Sequence, residues 1–178
     1  MLLCGIINEL TKSALDNITI SFFFCQGTDA RLNHATAVLR GLLFMLVDKQ
    51  PPLISHVRRL YDKTGKRVFE DVNAWEALSE MLTYILKDPL LKTTYLIIDA
   101  LDECITDRKK LLELVAQKSS AYPYVKWIVS SRNWPAIEET LDNTSQKTQL
   151  CLELNEATVT GAVAIFVNSK VQELTEKK

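Results

Sequence analysis

Three acids, Asp99, Asp102 and Glu103, directly follow the apolar run Tyr95-Leu96-Ile97-Ile98 in the middle of the chain. A short apolar run without polar alternation predicts a strand buried on both faces, as strands of a parallel sheet are. In open α/β sheets ligands bind in the crevice outside the carboxyl ends of the strands, so these acids stand where chemistry is ordinarily done. A carboxylate there can hold Mg²⁺, a hard cation that takes oxygen ligands, and a later one can orient or deprotonate a water attacking a terminal phosphate. A second run, Val125-Lys126-Trp127-Ile128-Val129, leaves through Ser130-Ser131-Arg132. A guanidinium at such an exit can stabilise charge on a transferring phosphoryl group. Plainer readings stand beside these: carboxylates also favour a helix N-terminus, and Arg132 can close its strand by pairing with a local acid such as Glu138.

The segment Ile97-Ile98-Asp99-Ala100-Leu101-Asp102-Glu103-Cys104 resembles the Walker B signature of NACHT nucleotide-binding domains, with the fungal vegetative-incompatibility and nephrocystin-like forms the most similar. Ser130-Ser131-Arg132 is similar to the end of that family's fourth strand. The resemblance implies that Asp99 is the Mg²⁺ acid, that Asp102 and Glu103 position the water, and that Arg132 senses the terminal phosphate. It implies an α/β fold with a three-layer, P-loop NTPase-like parallel sheet and flanking helices. It further implies Mg²⁺ with ATP or GTP as cofactors and other NACHT-type chains or domains as partners. The whole chain, 1–178, reads as one partial NACHT domain with a strand-free helical insert over roughly residues 31–88.

One departure stands against the match. No G-x-x-x-x-G-K-[ST] phosphate loop occurs in the sequence. Its one Gly-Lys pair, Gly65-Lys66, is followed by Arg67 and has Leu60 where the first glycine would stand, so it reads as a turn between helices. In the resembling family that loop precedes a helix similar to the opening Met1 to Leu10, and its backbone N–H groups and lysine dominate nucleotide binding. Mg-NTP binding is therefore expected to be weak or lost. The family's first strand, expected to be missing with the loop, lies between the Walker B and sensor strands. Two apolar strand edges should then face a gap, unless they re-pair or a partner fills it. A non-catalytic module acting through protein contacts is the alternative class. A haloacid-dehalogenase-type phosphatase is disfavoured, because Asp99 and Asp102 are three apart rather than two.

Composition bounds the rest. The 178 residues are 47% hydrophobic and 24% charged with a net charge of −1, which suits one ordinary domain and gives no field that would attract nucleic acid or an anionic membrane. Cys4, Cys25, Cys104 and Cys151 form no C-x-x-C pair, so reduced thiols and a cytoplasmic location are expected. No apolar stretch has the length of a membrane span, and the opening residues lack the basic region of a signal peptide. His34 and His56 have no partner at zinc spacing. The cluster His56, Arg58, Arg59, Lys63, Lys66 and Arg67 reads as a solvated face, since no aromatic residues interleave it.

The elements that must position the acids follow from periodicity. Leu3, Ile6, Ile7 and Leu10 predict a first helix, and Ile18 to Phe24 a strand. Asn33 is the expected N-cap of a helix carrying Val38, Leu39, Leu42, Leu43 and Leu46, which Pro51-Pro52 stops. A second insert helix runs on Leu53, Val57, Leu60 and Tyr61 to Gly65. A third, with Asn73 and Glu76 as a capping box, carries Leu78, Met81, Leu82, Ile85 and Leu86. Thr106 or Asp107 should cap a helix bearing Leu111, Leu112, Leu114 and Val115. Trp134-Pro135 opens another through Ile137 and Leu141. Leu150, Leu152 and Leu154 suggest a fifth strand, and Val159 to Leu174 a final helix.

Overall fold

The computed structural model describes residues 2–13, 18–71 and 73–142, all within one compact unit, Met1–Gln146. The expected fifth strand, the final helix and Cys151 lie outside the described residues. Three strands, β1 (Ile18–Phe24), β2 (Thr93–Asp99) and β3 (Val125–Val129), form one parallel sheet in the order β1-β2-β3. Helices flank it: α1 (Leu2–Ser13), α2 (Ala35–Lys49), α3 (Ile54–Thr64), α4 (Arg67–Glu70), α5 (Ala74–Leu86), α6 (Arg108–Ala121) and α7 (Pro135–Asp142). The fold is thus α/β with a parallel sheet, and the described part of residues 31–88 holds helices and turns with no strand, His34 making one isolated bridge to Thr106.

The register fixes what meets at the carboxyl edge. Phe24 pairs with Asp99, and Ile98 with Val129. No gap separates β2 from β3: of the expected alternatives the structure has the strands pair directly. Leu96, Ile97 and Ile98 are buried, and buried peptide groups must find hydrogen-bond partners, so β2 is satisfied by laddering on both sides. On β1, α2 leans over the strand: the Phe22 N–H donates to Met45 Sδ at 3.4 Å, and Ser21 Oγ donates to the Leu42 carbonyl at 2.8 Å.

The insert helices form where their apolar stripes fall. Leu39, Leu42 and Leu46 of α2 and Leu78, Met81, Leu82, Ile85 and Leu86 of α5 are fully buried. Pro51 turns the chain after α2 through a short 3-10 turn, and Gly65, at φ 62, ends α3 with its N–H on the Tyr61 carbonyl at 2.7 Å. Tyr61 itself is exposed, and the short α4, which buries Val68, was not evident from periodicity.

Three expected caps differ. The α2 cap is His34, whose Nδ1 accepts from the Ala37 N–H at 3.1 Å, because Asn33 is occupied elsewhere. Asn73 makes no side-chain cap bond to α5, having left the extended conformation that a capping side chain needs. Asp107 precedes α6 in the left-handed region and makes no side-chain cap bond either; it pairs with Lys110 at 3.3 Å.

Candidate functional site

Asp99 is the last residue of β2, and Ala100 after it adopts a left-handed conformation, φ 53, that throws the chain into a 3-10 turn over Leu101–Glu103. A non-glycine residue adopts that conformation at a cost, so the neighbourhood must hold it. Ser130, just past β3, does so. Its hydroxyl accepts the Ala100 N–H at 2.9 Å and donates to Asp99 Oδ1, while its carbonyl accepts the Leu101 N–H at 2.9 Å. The Ser130 N–H in turn donates to the Ile98 carbonyl at 2.9 Å. One serine therefore orients the first acid and braces the turn that carries the other two. The sequence marked Ser130 only as part of a strand exit.

Asp102 points inward, its side chain 3% exposed, and meets Arg132, whose side chain is 72% exposed. Arg132 Nε donates to Oδ2 at 2.6 Å and its backbone N–H to Oδ1 at 3.1 Å. Burial raises the Asp102 carboxyl, but the two hydrogen bonds and the charge of Arg132 outweigh it and hold the group below the usual carboxylate range. Asp102 in turn raises Arg132 above its ordinary value. Asp99 and Arg132 thus leave adjacent strands at the same edge, but the arginine grips Asp102 rather than facing Asp99. The carbonyl of Asp102 accepts a further bond, at 3.0 Å, from Nη1 of Arg108, whose guanidinium lies 4.6 Å from the centre of the Trp134 ring.

Glu103 is held from the other side. Its Oε2 accepts the Gly27 N–H at 2.8 Å, in the loop after β1, and a Cβ at Gly27 would sit 3.7 Å from the Glu103 carbonyl oxygen. Asn33, engaged here rather than at the α2 cap, donates Nδ2 to the Gly27 carbonyl at 3.1 Å and accepts the Ile105 N–H at 2.7 Å. The β1–α2 loop is thereby stitched to the turn bearing the acids. Cys25 and Cys104 lie buried beneath this seam, and Cys104 Sγ donates to the Thr106 carbonyl at 3.7 Å; the influence of the two thiols on each other pushes the Cys25 thiol up, which burial reinforces, and the Cys104 thiol down. Cys4 is exposed.

Asp102 therefore has a donor of the chain on each carboxylate oxygen, while Glu103 and Asp99 each have one on a single oxygen. Among the described residues, no three His, Cys, Asp or Glu side chains converge to hold a metal. That donor set fits Mg²⁺ only in the manner of nucleotide sites, where one or two carboxylates share the cation with waters and phosphates. Asp99 would hold it through Oδ2, which has no hydrogen-bond donor among the described residues. His56 is tied to Asp88 at 2.6 Å. No described helix is long and apolar enough to cross a membrane.

Residues 1–132 match the protein family described as Nephrocystin 3, N-terminal. The chain belongs to that family. The vegetative incompatibility protein HET-E-1 of Podospora anserina is 56% identical to this chain over 177 residues, which is 99% of this chain and 13% of the relative. The chain thus spans 13% of the length of the relative it matches. No solved structure matches it significantly. The family match runs from α1 through Arg132, so all four candidate site residues fall inside it.

Proposed function

We propose that this chain is part of a NACHT-type nucleotide-dependent signalling switch, with Asp99 as the Mg²⁺ acid, Asp102 and Glu103 as the water-positioning pair, and Arg132 as the contact to the terminal phosphate of ATP or GTP. The observation that carries the reading is the shared carboxyl edge, where Asp99 and Arg132 leave neighbouring parallel strands and Asp102 sits between them. The family match and the name of the HET-E-1 relative support a signalling region of this kind. Mg²⁺, when bound, would supply charge neutralisation on the terminal phosphates. The chain's own residues do the rest: Ser130 fixes the Asp99 rotamer, and Arg132 must exchange the Asp102 carboxylate for a phosphate oxygen, which frees Asp102 to orient a water. Because this sequence contains no G-x-x-x-x-G-K-[ST] loop, affinity is expected to be weak.

A titration with Mg·ATP and Mg·GTP, followed by ligand-observed NMR, tests the reading. Weak, saturable, Mg²⁺-dependent binding that disappears in Asp99→Ala supports it. Absence of such binding, or binding indifferent to Asp99→Ala, overturns it. That outcome would leave a contact module acting on other NACHT-type chains, a reading favoured by the internal partners that Asp102 and Glu103 already have.

A further inference from the structure

The site contains a second arginine that the motif does not include. Arg108 opens α6, and its Nη1 bonds the carbonyl of Asp102, the residue whose carboxylate holds Arg132. Two guanidinium groups therefore converge within the span of a single aspartate. Their charges are not equivalent. Arg132 is neutralised by Asp102, whereas Arg108 has no carboxylate at ion-pair distance among the described residues and is held by a carbonyl and an aromatic face. Trp134 fixes the plane of that guanidinium, and a cation stacked on an indole keeps its edge N–H donors free for an anion. The arrangement presents one cation without a carboxylate partner among the described residues and one paired with Asp102, both bonded to the turn that follows the acid that would hold Mg²⁺.

We propose that Arg108 is a second phosphate-contacting residue of this site, bracketing with Arg132 the polyphosphate of a nucleoside triphosphate. The inference rests on the nucleotide-switch reading above. Arg108 makes the first, long-range attraction, because its charge has no carboxylate at ion-pair distance among the described residues. Arg132 then transfers from Asp102 to the phosphate, and the phosphate contact has to offset the cost of leaving the buried Asp102 carboxylate with only the Arg132 backbone N–H. Arg108 stays bonded to the Asp102 carbonyl throughout and keeps the turn in register while the carboxylate is released. A ligand with more phosphates should gain more from this pair than one with a single phosphate.

The test compares Mg·ATP with AMP, by ligand-observed NMR on the full chain, for the wild type, Arg108→Gln and Arg108→Lys, with circular dichroism to verify folding. Loss of a charged hydrogen bond predicts that Arg108→Gln weakens Mg·ATP by at least about tenfold and narrows the ATP-to-AMP affinity ratio, with Arg108→Lys recovering part of both. Wild-type affinity for Mg·ATP in Arg108→Gln overturns the inference, as does an equal loss for both ligands, which would mark Arg108 as a brace for the turn. The two readings fail differently. Wild-type protein with no Asp99-dependent Mg·ATP binding removes both, while binding that depends on Asp99 and ignores Arg108 removes only this one.

Discussion

The carboxylate of Asp102 is buried against the exposed guanidinium of Arg132, an ion pair whose two halves stand in different solvents. Removing the exposed partner leaves a buried charge without compensation, whereas neutralising the buried partner leaves a cation that water can solvate. Arg132→Gln should therefore lower the thermal midpoint more than Asp102→Asn. The pH dependence has a definite sign. A carboxyl held below its unfolded value contributes stability that is fully present above about pH 3.9 and is lost as pH falls through the folded value. In Arg132→Gln the guanidinium is lost while the backbone N–H bond to Oδ1 remains, so burial weighs more, the Asp102 carboxyl rises relative to the wild type, and the loss should begin at higher pH than in the wild type. Urea unfolding from pH 3 to 7 reads this, and superimposable wild-type and Arg132→Gln profiles would refute it.

His34 gives a second window. Its Nδ1 accepts a backbone N–H at the start of α2, so it must be unprotonated there, and burial together with Arg40 lowers its pKa against the opposing pull of Asp107. A histidine depressed in the folded state contributes stability that is complete above its unfolded value of about 6.5 and is lost as pH falls below it. Stability should thus decline from pH 7 to 5.5 in the wild type. His34→Asn, which caps without titrating, should flatten that decline. An unchanged slope in His34→Asn would place the titration elsewhere.

Ser130 is the residue on which the site's geometry converges, since its hydroxyl both receives the Ala100 amide and gives to Asp99. Ser130→Ala strands a part-buried donor in a left-handed residue and should cost about 1–3 kcal/mol. Ser130→Thr keeps the hydroxyl and should recover most of it. Equal stability of the alanine variant and the wild type in urea would show that water replaces the serine at no cost.

Much of this was legible in the sequence because it depends on local periodicity. The continuous apolar run before Asp99, the stripe from Leu78 to Leu86 and the breaks at Pro51 and Gly65 each act within a few residues, and each appears where expected. What was not legible depends on which segments meet. Asn33 loses the α2 cap to His34 because its side chain bonds the Gly27 carbonyl and its own carbonyl is taken by the Ile105 N–H, from a turn distant in sequence. Ser130, Gly27 and Arg108 carry no local signal of their roles, because each acts on an acid between 6 and 76 positions away. The pairing of β2 with β3 likewise depends on edge satisfaction, which no single strand encodes.

The approach of α2 to the sheet rests on Gly41. A Cβ placed there would lie 2.5 Å from Cδ2 and 2.9 Å from Cε2 of the Phe23 ring, closer than real contacts allow. The ring cannot withdraw freely, since Phe23 sits in β1 between residues laddered to β2. Gly41→Ala must push the helix outward or rotate the ring, and overpacking of this kind costs about 1–3 kcal/mol, more than the helix propensity gained. Because α2 is continuous with the loop that holds Glu103 through Gly27, the displacement should also loosen that contact. Trimming the ring by Phe23→Leu in the Gly41→Ala background should restore part of the loss. A double-mutant cycle in urea measures the coupling: strong coupling between the two positions is expected, and additivity would show that α2 absorbs the methyl without touching the strand.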